Sequence, residues 1–146
     1  MISLEYLAGF FDGEGSIMSH HLGGNSRSVI VVVGNTVKEA VEVFQVTFGG
    51  SIRKREYKKH PNWKPLWMWE IKDRHAETFL LRIRPYLHLK ALQADLAMQM
   101  FALTYHRGEY RKNGLSDEDK RIREERFKAR ECVAVALKAA NKRGLN

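Results

Sequence analysis

The stretch Leu7-Ala8-Gly9-Phe10-Phe11-Asp12-Gly13-Glu14-Gly15 restricts this chain more than any other. Leu4, Leu7, Ala8 and Phe11 share one face of a helix, and each glycine inside such a helix costs roughly 1 kcal/mol, which a tightly docked partner must offset. Gly9 and Gly13 are one helical turn apart and let a second backbone approach closely. Gly13 and Gly15 then end the helix, so Asp12 and Glu14 fall at its negative pole, where carboxylates are opposed by the dipole. A cation resolves that conflict.

The rest of the chain arranges itself around this helix, which begins at the candidate cap Ser3 and runs to about Asp12. Gly15 to Leu22 reads as a strand, Gly23-Gly24-Asn25-Ser26 as a turn, and the β-branched run Ser28 to Val33, apolar on both parities, as a central strand. Thr36 and Glu39 fit a capping box, followed by the stripe Val37, Ala40, Val41, Phe44 and Phe48, which stops at Gly49-Gly50. In Ser51 to Lys59 the lone apolar Ile52 sets the inward parity, so Arg53, Arg55 and Tyr57 face outward together. Pro61 and Asn62 break the run, and Leu66 to Ile71 returns with Trp67 and Trp69 as core residues.

Ala76, Phe79, Leu80 and Ile83 make a third helix, capped by Asp73 and ended by Pro85; Leu89, Leu92, Leu96, Met100 and Leu103 stripe a fourth. After the linker-like Arg107 to Leu115, Ser116 starts a last helix striped by Ala129, Cys132, Val133, Ala136, Leu137 and Ala140, with Cys132 expected as a small core residue. The predicted order is α-β-β-α-β-β-α, an α+β fold with helices on one face of an antiparallel sheet and the other face bare. A single domain over residues 1–146 is expected, with its core at about 3–105 and a C-terminal helical extension at about 115–142.

Charge gives the bare face a purpose. Lys and Arg number 25 against 17 Asp and Glu, a formal charge of +8, and the pI is near 9.7; such a balance suits a polyanion such as nucleic acid. One cysteine excludes an internal disulfide and argues against a multi-cysteine zinc site. No apolar run is long enough for a membrane span and no secretion signal precedes the first helix. The expectation is an intracellular protein, in cytoplasm or nucleoid, or in an organelle of a eukaryote, and not a secreted or membrane one.

The stretch Leu7 to Gly15 resembles the signature of the LAGLIDADG homing endonucleases: Leu7, Ala8, Gly9, Asp12 and Gly15 are identical, and Phe10, Phe11, Gly13 and Glu14 are common substitutions. The likeness extends over about residues 4–105, because later landmarks follow in order. It implies two such units packed through their signature helices, with the joined sheets forming a saddle over the DNA major groove. Only one signature occurs, so the resemblance implies a homodimer on double-stranded DNA, with Leu4, Leu7, Ala8, Gly9, Phe11 and Asp12 at the dimer interface.

The resemblance further assigns a metal-ligating acid to Glu14 and a backbone carbonyl ligand to Gly13, with Asp12 in support and Mg2+, or another divalent cation such as Mn2+, as cofactor. Ordinary turn residues are the alternative for Asp12 and Glu14. Pro85 to Lys90, followed by Gln93-Ala94, is similar to the family segment that places a basic residue near the scissile phosphate, so Lys90 is a catalytic candidate. A solvated lysine at a helix start is the alternative. Asn35 stands near the family's water-positioning side chain, but a plain helix cap explains it too. For DNA, Arg53 and Arg55 are the base-reading candidates, with Arg27, His20 and Tyr57 as lesser ones and Lys54, Lys58 and Lys59 on phosphates. A non-catalytic nucleic-acid-binding protein of the same fold, an RNA maturase or transcription regulator, is the competing function.

Overall fold

The computed structural model describes residues 1–24, 26–104 and 114–142. Helix α1, Leu4–Glu14, starts where Ser3 Oγ accepts the Tyr6 N–H at 3.2 Å. Strands β1, Gly15–Gly23, and β2, Ser26–Asn35, follow as an antiparallel hairpin; α2, Lys38–Phe48, leads to β3, Ser51–Arg55, and β4, Leu66–Lys72. Then come α3, Asp73–Ile83, a 3-10 turn at Arg84–Tyr86, α4, Ala91–Ala102, and α5, Asp117–Lys142. The four strands form one antiparallel sheet in the order β1-β2-β4-β3. The predicted α+β order is present.

Register divides the sheet into two faces. Ile17, Val31 and Ile71 stand opposite one another across three strands, as do Val33, Trp69 and Ile52, and this face is covered by the helices and buries Leu7, Ala8, Phe11, Phe44 and Phe79. Each of the larger ones, such as Leu7, Phe11, Phe44 and Phe79, contributes roughly 1.5–3 kcal/mol by leaving water. Trp69 packs against Phe44 and Phe79 at centroid distances of 5.1 and 5.3 Å and donates its indole N–H to Gly49 O at 2.7 Å. That contact depends on Gly49-Gly50, both at positive φ; a Cβ on Gly50 would also sit 2.7 Å from Glu70 O.

Local chemistry departs from expectation at several places. The α2 start has no Thr36–Glu39 box: Asn35 Oδ1 accepts the Val37 N–H at 2.8 Å instead. Asp73 is not a cap but holds the start of β2, accepting Ser28 Oγ at 2.8 Å and Val29 N–H at 3.1 Å. It does so at φ 48, a conformation that costs a non-glycine residue about 1 kcal/mol or more. In α4 the buried stripe is Ala94, Ala97 and Met100, while Leu89 and Leu92 are exposed. Helix α5 starts after Ser116 as expected, with Ser116 and Asp119 bonded to each other, but the buried face is Arg130, Ala134, Leu137 and Ala140, and Cys132 is exposed. Most of the expected linker lies outside the described residues.

Candidate functional site

Signature helix and α4 meet through one carboxylate. Asp12 is buried, and its two oxygens accept backbone N–H groups of the segment leading into α4: His88 N to Oδ2 at 2.7 Å and Lys90 N to Oδ1 at 2.9 Å. Charge-assisted bonds of this kind are the strong ones. The Lys90 ammonium in turn donates to the backbone carbonyl of Asp12. Burial pushes the Lys90 amine below its usual range, while the charges of Asp12 and Glu14 pull it back. Residues far apart in the sequence, Asp12 to Glu14 and His88 to Lys90, therefore form one cluster.

Glu14 itself is exposed, as is Gly13. Its position is fixed by Gly15, where a Cβ would overlap the Phe11 ring and stand 2.6 Å from the Phe11 carbonyl. The chain can thus leave α1 and enter β1 in a single step, with Glu14 on the last residue of the helix. Among the described residues no group of three or more His, Cys, Asp or Glu side chains gathers to hold a metal ion. Asn35 lies on the helix-covered parity opposite Trp67, and its Oδ1 accepts the Val37 N–H just ahead of α2.

The two faces of α1 differ in exposure. Leu7, Ala8 and Phe11 have no exposed surface in the single chain, because the one apolar stripe of the helix is consumed by the chain's own core. Asp12 is held inside as well. Tyr6, Gly9 and Gly13 are on the outside, and beyond the helix's own backbone no atom of the described residues lies within 4 Å of where a Cβ on either glycine would stand.

The bare face of the sheet carries Ser16, Met18 and His20 of β1, Ile30 and Val32 of β2, Met68, Glu70 and Lys72 of β4, and Ser51, Arg53 and Arg55 of β3. Arg53 and Arg55 share it, as parity predicted. Arg27 does not. It has the parity of Val29 and Val31, and its Nε and Nη2 form a bidentate pair with Glu131 of α5 at 2.6 and 2.8 Å. Lys54 is also on the covered parity, opposite Trp67, and pairs with Glu56 at 2.5 Å. Tyr57 lies past the end of β3 and packs edge-on against Trp63, with Arg55 over its ring, so the strand parity applied to it does not hold. Lys58 and Lys59 are exposed in the loop that follows.

Glu70, which the strand parity of Trp67 and Trp69 would have revealed, is the residue the sequence reading passed over. Its Oε1 pairs with Lys72 Nζ at 2.9 Å and its Oε2 with Arg53 Nη2. Burial works against its ionised form, but Lys72 and Arg53 outweigh it and hold the carboxyl below the usual carboxylate range.

No protein-family model and no curated protein matches the sequence. Solved structures do. The homing endonuclease I-CvuI bound to the I-CreI target is 25% identical with a TM-score of 0.58, over 68% of this chain and 65% of that one. I-CvuI with its own target, crystallised with calcium, gives a TM-score of 0.68 at 20% identity over 94% of this chain and 80% of the other. The LAGLIDADG homing endonuclease I-GzeII in complex with its DNA target gives 0.58 at 17% identity, over 83% of this chain and 48% of that one. This chain thus spans a little under two thirds of the first and about half of the last.

Proposed function

We propose that this chain, which has the fold of the LAGLIDADG homing endonucleases it resembles and a stretch similar to their signature, is a metal-dependent homing endonuclease, hydrolysing double-stranded DNA as a homodimer at a long, near-palindromic site. The observation that carries the reading is the cluster of Asp12, Glu14 and Lys90, since a carboxylate at a helix end beside a half-buried ammonium has the charges that phosphodiester hydrolysis requires.

One signature per chain, and a neighbour of about twice the matched length, support a site built from two copies. The free faces of Gly9 and Gly13 supply the place for the second α1 to dock, and Glu14 of both copies would then converge. Carboxylate and carbonyl oxygens are the donors that Mg2+ or Mn2+ prefers, and Glu14 with the Gly13 carbonyl would hold such an ion between the copies. Bound there, the ion supplies charge neutralisation at the phosphate and a more acidic water. The protein's own part is to hold Lys90 at the same spot through Asp12, where its charge stabilises the developing oxyanion, and to present Arg53, Arg55 and His20 to the duplex.

Glu14→Gln tests this reading. The variant should lose DNA cleavage in magnesium while binding duplex DNA nearly as well as the unmodified protein. Undiminished cleavage would remove Glu14 from the chemistry, and unmodified protein that binds duplex but cuts nothing in a randomised library would favour the non-catalytic reading.

A further inference from the structure

On a face meant for phosphates, an acid is out of place. Glu70 is the only carboxylate that the four strands place on the bare face among the described residues, yet it sits on the central strand β4 rather than at the rim. Its exposure explains how it is tolerated: the Glu70 side chain is 11% exposed, while its partners Arg53 and Lys72 are 65% and 53% exposed. The acid is underneath and the cations are on top. Each oxygen takes one cation from a different direction, Lys72 from two residues along the same strand and Arg53 from the neighbouring strand.

Two consequences follow for a duplex on this face. Arginine and lysine side chains have many rotamers to lose, and a fixed partner removes part of that freedom before DNA arrives. A cation already half neutralised is also a weaker attractor of phosphates, so its remaining donors are worth more where geometry matters, at a base edge. Resting on the DNA-binding reading above, we propose that Glu70 is a positioning residue for sequence discrimination, holding Arg53 and Lys72 as a fixed pair of donors toward base edges and restraining them from indiscriminate phosphate contact.

The test compares the unmodified protein with Glu70→Gln by binding selection from a randomised duplex library and by titrating one random-sequence duplex over a range of salt. The variant should bind the random duplex more tightly, with a log affinity that falls more steeply with log salt by about 0.9 for each cation set free. Preference at one or two adjacent base pairs in each half-site should drop about tenfold, and adding Arg53→Ala should cost no further preference there. An unchanged preference profile, or weaker binding to random DNA, overturns the proposal. If Glu70→Gln melts far below the unmodified protein, Glu70→Asp takes its place: the charge remains on a shorter stem, so preference should relax at the same base pairs, and a preserved profile overturns the proposal. Failure of the underlying reading looks different, because the unmodified protein would then bind no duplex or all duplexes alike.

Discussion

Asp12 shows how much one side chain can organise. Its two oxygens answer two backbone donors, His88 N–H and Lys90 N–H, at 2.7 and 2.9 Å, and so fix the start of α4 against the end of α1. An amide cannot do this, since one of its two positions would turn N–H toward N–H. Asp12→Asn should lower folding stability by about 1–3 kcal/mol, read by denaturant unfolding, and should displace Lys90 from the site although Lys90 itself is unaltered. Stability equal to that of the unmodified protein would mean that these backbone donors have another acceptor. The signature revealed Asp12 as important; its partners seventy-six and seventy-eight residues away could be known only from the fold.

Elements were legible in proportion to how far one pattern decided them. The β-branched run of β2 and the Gly49-Gly50 stop were read correctly because burial on both faces and positive φ each leave few alternatives. Helix faces were harder. The leucines of α4 promised a core stripe, but α4 packs through Ala94 and Ala97, whose small side chains allow close approach, and leaves Leu89 and Leu92 outside. The partner of Arg27 was hidden for a related reason: Glu131 lies on α5, which no strand pattern can place. That bidentate pair ties α5 to the sheet, helped by Asn141 Nδ2 donating to Ile17 O at 2.8 Å. Hydrogen bonding from Arg27 holds the Glu131 carboxyl below its ordinary value of 4.5. A depressed carboxyl stabilises the fold above that ordinary value and ceases to do so as pH falls through its folded-state value. The melting-temperature gap between unmodified protein and Glu131→Gln should therefore hold steady from neutrality to about pH 5 and close at lower pH. A gap that ignores pH would assign the loss to packing instead of charge.

At the scale of the whole molecule, the proposed pairing of two copies turns on α1. Gly9 has open space where a Cβ would stand, so Gly9→Leu should leave the melting of the single chain near that of the unmodified protein, within a kcal/mol of helix propensity. It should nevertheless block close helix approach and turn a dimer into a monomer by sedimentation. Unmodified protein that sediments as a monomer both free and on DNA would refute the two-copy arrangement. The sheet also ends differently on its two sides. The outer edge of β1 is engaged by α5 through Asn141, whereas β3, five residues long, has no strand beyond it among the described residues. Its sequence Ser51-Ile52-Arg53-Lys54-Arg55 places three cations in a row on that edge, and like charges brought edge to edge repel. Strand-by-strand growth into fibrils is thereby discouraged, and polyanions that screen those three charges would be the agents that promote it.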